Sequence, residues 1–156
     1  MRVDVIAVGT KMPGWVVAAT AEYIKRLKTD LPLSFIEVPL AQRGKAQSSA
    51  TWVEREGELI LAKVPKNSFV VALEVTGRAL STAELAGEVE KVAGLGKDLV
   101  LLVGGPDGLS DACRGRADAL WSLSKLTLPH PLVRVLLAEQ FYRAVSVIKG
   151  HPYHRE

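Results

Sequence analysis

The side chains best suited to moving a proton or holding an anion gather at the end of the chain. All three histidines, His130, His151 and His154, fall there, with Arg134, Tyr153 and Arg155 close by in sequence. Imidazole titrates nearest neutrality and is the ordinary proton carrier. Arginine pairs with anions, and tyrosine or histidine can stack on a nucleic-acid base. His130 stands between Pro129 and Pro131, whose fixed φ angles make a rigid corner. It reads as a helix-start residue or as a pocket residue. Arg134 falls in the middle of an apolar helical face, where a charge is costly unless paired. Either its stem carries the charge out to water, or it points into a pocket beside His130 and binds a substrate anion. The tail 150–156 either frays or contacts substrate. Metal chemistry is not expected, because Cys113 is the single cysteine and no H-E-x-x-H spacing occurs. Cys113 lies beside Arg114 and Arg116 without a base partner and reads as an incidental thiol.

A second group of candidates carries glycine. In an open parallel sheet, ligands bind beyond the carboxyl ends of the strands. Two such ends are Leu73-Glu74-Val75-Thr76-Gly77 and Val103-Gly104-Gly105-Pro106-Asp107-Gly108. Glycine there lets a ligand approach the backbone; the alternative is a tight turn needing positive φ at one glycine. Neither the G-x-G-x-x-G dinucleotide fingerprint nor the G-x-x-x-x-G-K-[ST] phosphate loop is present. Asp107 would also repel a phosphate. An adenosine carrying an amino acid fits better than NAD or ATP. Over 123–128, Ser124 and Thr127 alternate with Leu123, Leu126 and Leu128, which offers either a third backbone edge for a ligand or an ordinary edge strand. The polar stretch 42–49, with Arg43, Gly44 and Lys45, reads as a mobile basic loop, either simply solvated or contacting phosphate.

These residues need a frame. Apolar runs predict strands at 2–8, 33–38, 69–73 and 99–103. Helical spacing predicts helices at 15–28 and 49–63. Ser81 and Glu84 form a capping-box pattern that opens a helix to about Ala93. Ser110 or Asp111 caps a short helix to about Ala119, and Pro131 opens the last one. Strand and helix alternate, so the fold class is α/β, a mainly parallel sheet with helices on both faces. The last helix is apolar nearly all round, which points to a second subunit covering part of it. The 156 residues, with a formal charge of +3, make one domain, 1–156, that tolerates a polyanionic partner. The lone cysteine fits a reducing, cytoplasmic setting. No secretory leader or membrane-length apolar run is visible.

Three stretches, AVGTKMP, LLVGGPDGLS and WSLSKLTLPHPLVRVLLAEQFYRA with the final HPYHRE, are similar to the SPOUT superfamily of RNA methyltransferases. The likeness is to the bacterial members that methylate N3 of a pseudouridine in 23S rRNA, and it spans essentially the whole chain. It implies a C-terminal trefoil knot and a homodimer. It implies S-adenosyl-L-methionine contacts at Leu73, Gly104 and the run Leu123, Ser124, Lys125, Leu126, Thr127 and Leu128. The implied partner is 23S rRNA in the assembled ribosome. For direct methyl transfer, the candidates are His154 as base, Arg134 as stabiliser of developing charge and Tyr153 for positioning. The rivals are a non-catalytic RNA- or ribosome-binding domain, and a SPOUT methyltransferase for tRNA or a ribose 2′-hydroxyl.

Overall fold

The structure is a computed structural model and describes residues 1–44 and 47–155; Lys45 of the polar loop lies outside them. Five strands, β1 (Val3–Val8), β2 (Leu33–Val38), β3 (Ser68–Ala79), β4 (Asp98–Val103) and β5 (Ala119–Ser122), form one sheet in the order β2-β1-β4-β3-β5. Every pairing is parallel. Helices α1 (Gly14–Leu27), α2 (Ser49–Ala62), α3 (Thr82–Gly94), α4 (Asp111–Arg116) and α5 (His130–Lys149) connect and cover it, and Pro152–Arg155 closes the chain as a 3-10 turn.

The uniformly apolar strands are buried on both faces, and their period of two sorts the core into two layers. Val3, Val5, Leu99 and Leu101 turn toward Leu27 of α1, Val92 of α3 and Phe141 of α5. Ile6, Val8, Val100 and Leu102 turn the other way, toward Ile60 of α2 and Cys113 of α4. Each such buried aliphatic contributes about 1.5–3 kcal/mol. Serine caps open three of the helices. Ser48 accepts from the Thr51 N–H, and Ser110 from Cys113. Ser81 and Glu84 close the expected capping box. Pro131 sits in the first turn of α5, and Gly150 ends that helix with φ 69°.

Three local expectations are corrected. β3 does not stop near Leu73 but runs to Ala79, with its register against β5 shifting between Leu73 and Arg78. The helix after Ser110 ends at Arg116, not near Ala119. There Asp118 takes over: its carboxylate accepts from the Val70 N–H at 2.8 Å, and its own N–H donates to the Val70 carbonyl at 2.7 Å. That pair draws Ala119–Ser122 onto the edge of β3 as β5. The stretch 123–128 is a loop rather than a strand. The Ser122 hydroxyl donates to the Ser124 carbonyl at 3.0 Å, and the Leu126 N–H donates to Ser124 Oγ at 2.9 Å. Serine side chains thus bend the backbone away from the ladder.

Candidate functional site

Beyond the carboxyl ends of β3, β4 and β5 lies a cavity of about 330 Å³. Its walls include Leu73, Glu74 and Thr76 from β3, Val103, Gly104, Gly105 and Gly108 after β4, and Leu123, Ser124, Leu126, Thr127 and Leu128 after β5. The three separate segments singled out in the sequence therefore meet at one place. Lys125 is exposed and does not line the cavity. Val133 of α5 closes one side and was not anticipated. Among the described residues, no lysine, arginine or histidine lines the cavity, and Glu74 is the one carboxylate that does. Arg114 holds Glu74 in place, its Nε donating to Oε1 at 2.8 Å.

The glycines at these strand ends make room for the chain's own backbone. A Cβ on Gly104 would stand 2.6 Å from the Gly108 carbonyl carbon, so its missing side chain admits the chain's own turn. A Cβ on Gly77 would meet the Trp121 backbone at 2.6 Å, so that glycine lets β5 approach β3. Gly108 has φ +84°, the positive angle the turn reading called for.

Behind the cavity sits a polar cluster that joins four segments. Arg134 is 4% exposed, so its charge does not reach water along its stem. Its Nη1 donates to Glu37 at 2.7 Å, its Nη2 to the Gly9 carbonyl at 2.9 Å, and its Nε to His130 Nε2 at 3.2 Å. Arg134 thus stands beside His130, with each guanidinium nitrogen engaged by protein. It does not line the cavity. Accepting from Arg134 requires a neutral His130 with its proton on Nδ1. Burial first, and then the Arg134 charge, hold its pKa below the usual 6.5; the Gly104 backbone and the Glu37 charge oppose them. Glu37 was the missed member. Its one sequence signal is a carboxylate next to the end of strand 33–38.

The tail is not frayed through residue 155. It packs on α5 and α1, away from the cavity. The Tyr153 hydroxyl donates to Glu139 at 3.3 Å and lies 3.4 Å from the Tyr23 hydroxyl, while its ring meets Tyr142 edge-on at 4.6 Å. Burial, the Tyr23 hydrogen bond and the Glu139 charge push its phenol pKa well above 10. His154 is partly buried, and its Nδ1 is buried without a hydrogen-bond partner among the described residues. Within one chain, then, His154 and Tyr153 do not meet the cavity. His151 is exposed and accepts from the Tyr153 N–H at 3.3 Å.

Arg43 departs from the mobile-loop expectation. It is tied to Glu56 at 3.2 Å and to Asp107 at 2.8 Å, so Asp107 has a cationic partner within the protein. Cys113 is fully buried, with its Sγ 3.8 Å from the Gly57 carbonyl. Among the described residues no three His, Cys, Asp or Glu side chains group as metal ligands, and no helix is long and apolar enough to cross a membrane.

A parallel α/β sheet with a largely apolar cavity beyond its strand ends defines the fold as an α/β protein of the open-sheet class. Comparison with known proteins narrows this class. The family described as "Predicted SPOUT methyltransferase" matches residues 1–154. Two proteins named Ribosomal RNA large subunit methyltransferase H, from Thioalkalivibrio sulfidiphilus (strain HL-EbGR7) and Hahella chejuensis (strain KCTC 2396), are each 56% identical to it over 156 residues, covering 100% of both chains. A methylase family protein from Haemophilus influenzae Rd KW20 has a similar fold, with a TM-score of 0.53 at 14% identity over 97% of this chain and 69% of that one. Another, from Neisseria gonorrhoeae, gives a TM-score of 0.52 at 12% identity over 90% of this chain and 80% of that one. The chain belongs to the SPOUT methyltransferase family.

Proposed function

We propose that the protein is an S-adenosyl-L-methionine-dependent methyltransferase that acts on N3 of a pseudouridine in 23S rRNA of the large ribosomal subunit, in the assembled ribosome. The observation that carries this reading is the cavity itself, where the ends of β3, β4 and β5 converge in a chain whose family is methyltransferase. The residues present fit such a cofactor. Leu73, Val103, Leu109 and Val133 offer apolar walls to a purine, and Ser122, Ser124 and Thr127 offer hydroxyls. Among the described residues the lining holds no lysine or arginine to pair with a phosphate, and its carboxylate, Glu74, is paired with Arg114. The rRNA target is supported by the names of the two full-length relatives.

When bound, S-adenosylmethionine supplies an electrophilic methyl group. The chain's part is to hold the base in line with it and to receive the N3 proton. We assign the proton to His154 and base positioning to Tyr153. Arg134 supports the site by fixing the strand ends around Gly9 and Gly104. Because His154 and Tyr153 lie away from their own chain's cavity, these roles require a homodimer in which the tail serves the partner's cavity. The trefoil knot belongs to the same proposal.

Calorimetry with S-adenosylmethionine tests the cofactor, and a non-catalytic RNA-binding domain would show no heat. Mass spectrometry of rRNA from a deletion strain tests the target. Loss of one methyl at a 23S pseudouridine is expected; an unchanged 23S profile with a methyl lost from tRNA or a ribose 2′-hydroxyl would overturn it.

A further inference from the structure

We infer that Arg43 is a positioning residue for the cofactor cavity, a latch that holds the turn 105–108 from outside through Asp107. The inference rests on reading the cavity as the cofactor site. Neither Arg43 nor Asp107 lines that cavity, whereas Gly104, Gly105 and Gly108 do. Asp107 is the turn's handle: it lies between the Gly105 carbonyl and the Gly108 N–H, which bond at 3.0 Å. Arg43 Nη2 grips the Asp107 carboxylate at 2.8 Å.

The same Nη2 donates to Glu56 Oε1 at 3.2 Å, and Nη1 donates to the Ala41 carbonyl at 2.7 Å. The guanidinium also lies 5.1 Å from the centroid of the Trp52 ring. Arg43 is therefore anchored on two sides and is not free to follow the turn. Glu56 is 2% exposed, and its carboxylate stands 3.4 Å from where a Gly105 Cβ would be. A buried carboxylate needs a counter-charge, so Glu56 keeps Arg43 in place. The result is a chain of contacts from α2 through Arg43 to the cavity wall. It acts on the turn's conformation, and so on how well the wall fits a ligand before the ligand arrives.

Three variants separate this role from a purely structural one, with S-adenosylhomocysteine as the calorimetric probe and the melting temperature as the control. Asp107 is 34% exposed, so Asp107→Ala releases the turn without stranding a buried charge. It should weaken probe binding about tenfold and raise KM for the methyl donor, with kcat and melting temperature held. Arg43→Gln should weaken binding and also lower the melting temperature, because Glu56 loses its partner. Adding Glu56→Gln to Arg43→Gln should restore the melting temperature but not the affinity. Wild-type affinity in Asp107→Ala, or affinity that returns together with the melting temperature in the double variant, would overturn the latch. A wild-type protein that binds the probe not at all would overturn the reading of the cavity, and the latch with it.

Discussion

Arg134 shows what one buried charge needs. Its cost is met by a carboxylate, a carbonyl and an imidazole drawn from β2, the end of β1 and the first turn of α5. Arg134→Met keeps the stem but leaves the Gly9 carbonyl and His130 Nε2 without their donor. The Glu37 side chain is 39% exposed and recovers water, which limits the loss. Unfolding by urea should show a destabilisation of roughly 2 kcal/mol. His130 makes the same cluster sensitive to pH. Its folded pKa is depressed below 6.5, so the folded chain holds fewer protons there than the unfolded chain. The folded state is unpenalised above that value and loses stability as pH falls from 6.5 toward the folded pKa, then levels off. His130→Asn should flatten that part of the stability curve measured between pH 7.5 and pH 5; an unchanged slope would place the titrating group elsewhere. Arg134's need of a partner was legible from its place on an apolar face. Which partner was not, because Glu37 is ninety-seven positions away along the chain.

At the scale of elements, legibility followed the range of the interactions. Strand 33–38 and the Ser81–Glu84 cap are set by neighbours in sequence, and both stand where the pattern put them. β5 and the long β3 depend on Asp118 reaching Val70 and on β5 crossing Gly77 at close range, which no local period records. The cavity was legible in outline because three strand ends follow from the strand pattern. Its fine shape was not, because the Cβ directions of Gly77 and Gly104 are filled by the chain's own backbone and not by ligand. That difference is testable. Gly77→Ala pushes a methyl into the Trp121 backbone and should cost about 1–3 kcal/mol, with weaker cofactor binding as β5 shifts. Gly87→Ala, on an exposed turn of α3 with open space around it, should instead stabilise the fold by about 0.5–1 kcal/mol. Thermal melts of the two variants moving in the same direction would refute this account of Gly77.

For the whole molecule, the proposed roles of His154 and Tyr153 turn on whether a tail can reach a cavity. Val133 lines the cavity, whereas Glu139 holds Tyr153. Six residues of helix separate them, a rise of about 9 Å. The tail docks on the α1 side of α5, while Leu126 at the cavity's edge is 74% exposed and Val75 58%. In the proposed homodimer a second copy laid against those edges would bury that apolar surface, and the proposed roles of His154 and Tyr153 need its tail to reach the cavity. A homodimer of 16.9 kDa chains is therefore the expected mass in solution. Its geometry is tested by mixing two inactive variants. His154→Ala keeps an intact cavity, and Thr127→Arg fills the cavity from an exposed loop while keeping an intact tail. If tails serve their own cavities, no mixed dimer has a working site. If tails cross, each mixed dimer has one, pairing the first chain's cavity with the second chain's His154. Random mixing makes half the dimers mixed, so activity should return to about one quarter of wild type. No recovery after subunit exchange, with mixed dimers verified by mass, would confine each tail to its own chain and overturn the crossed arrangement.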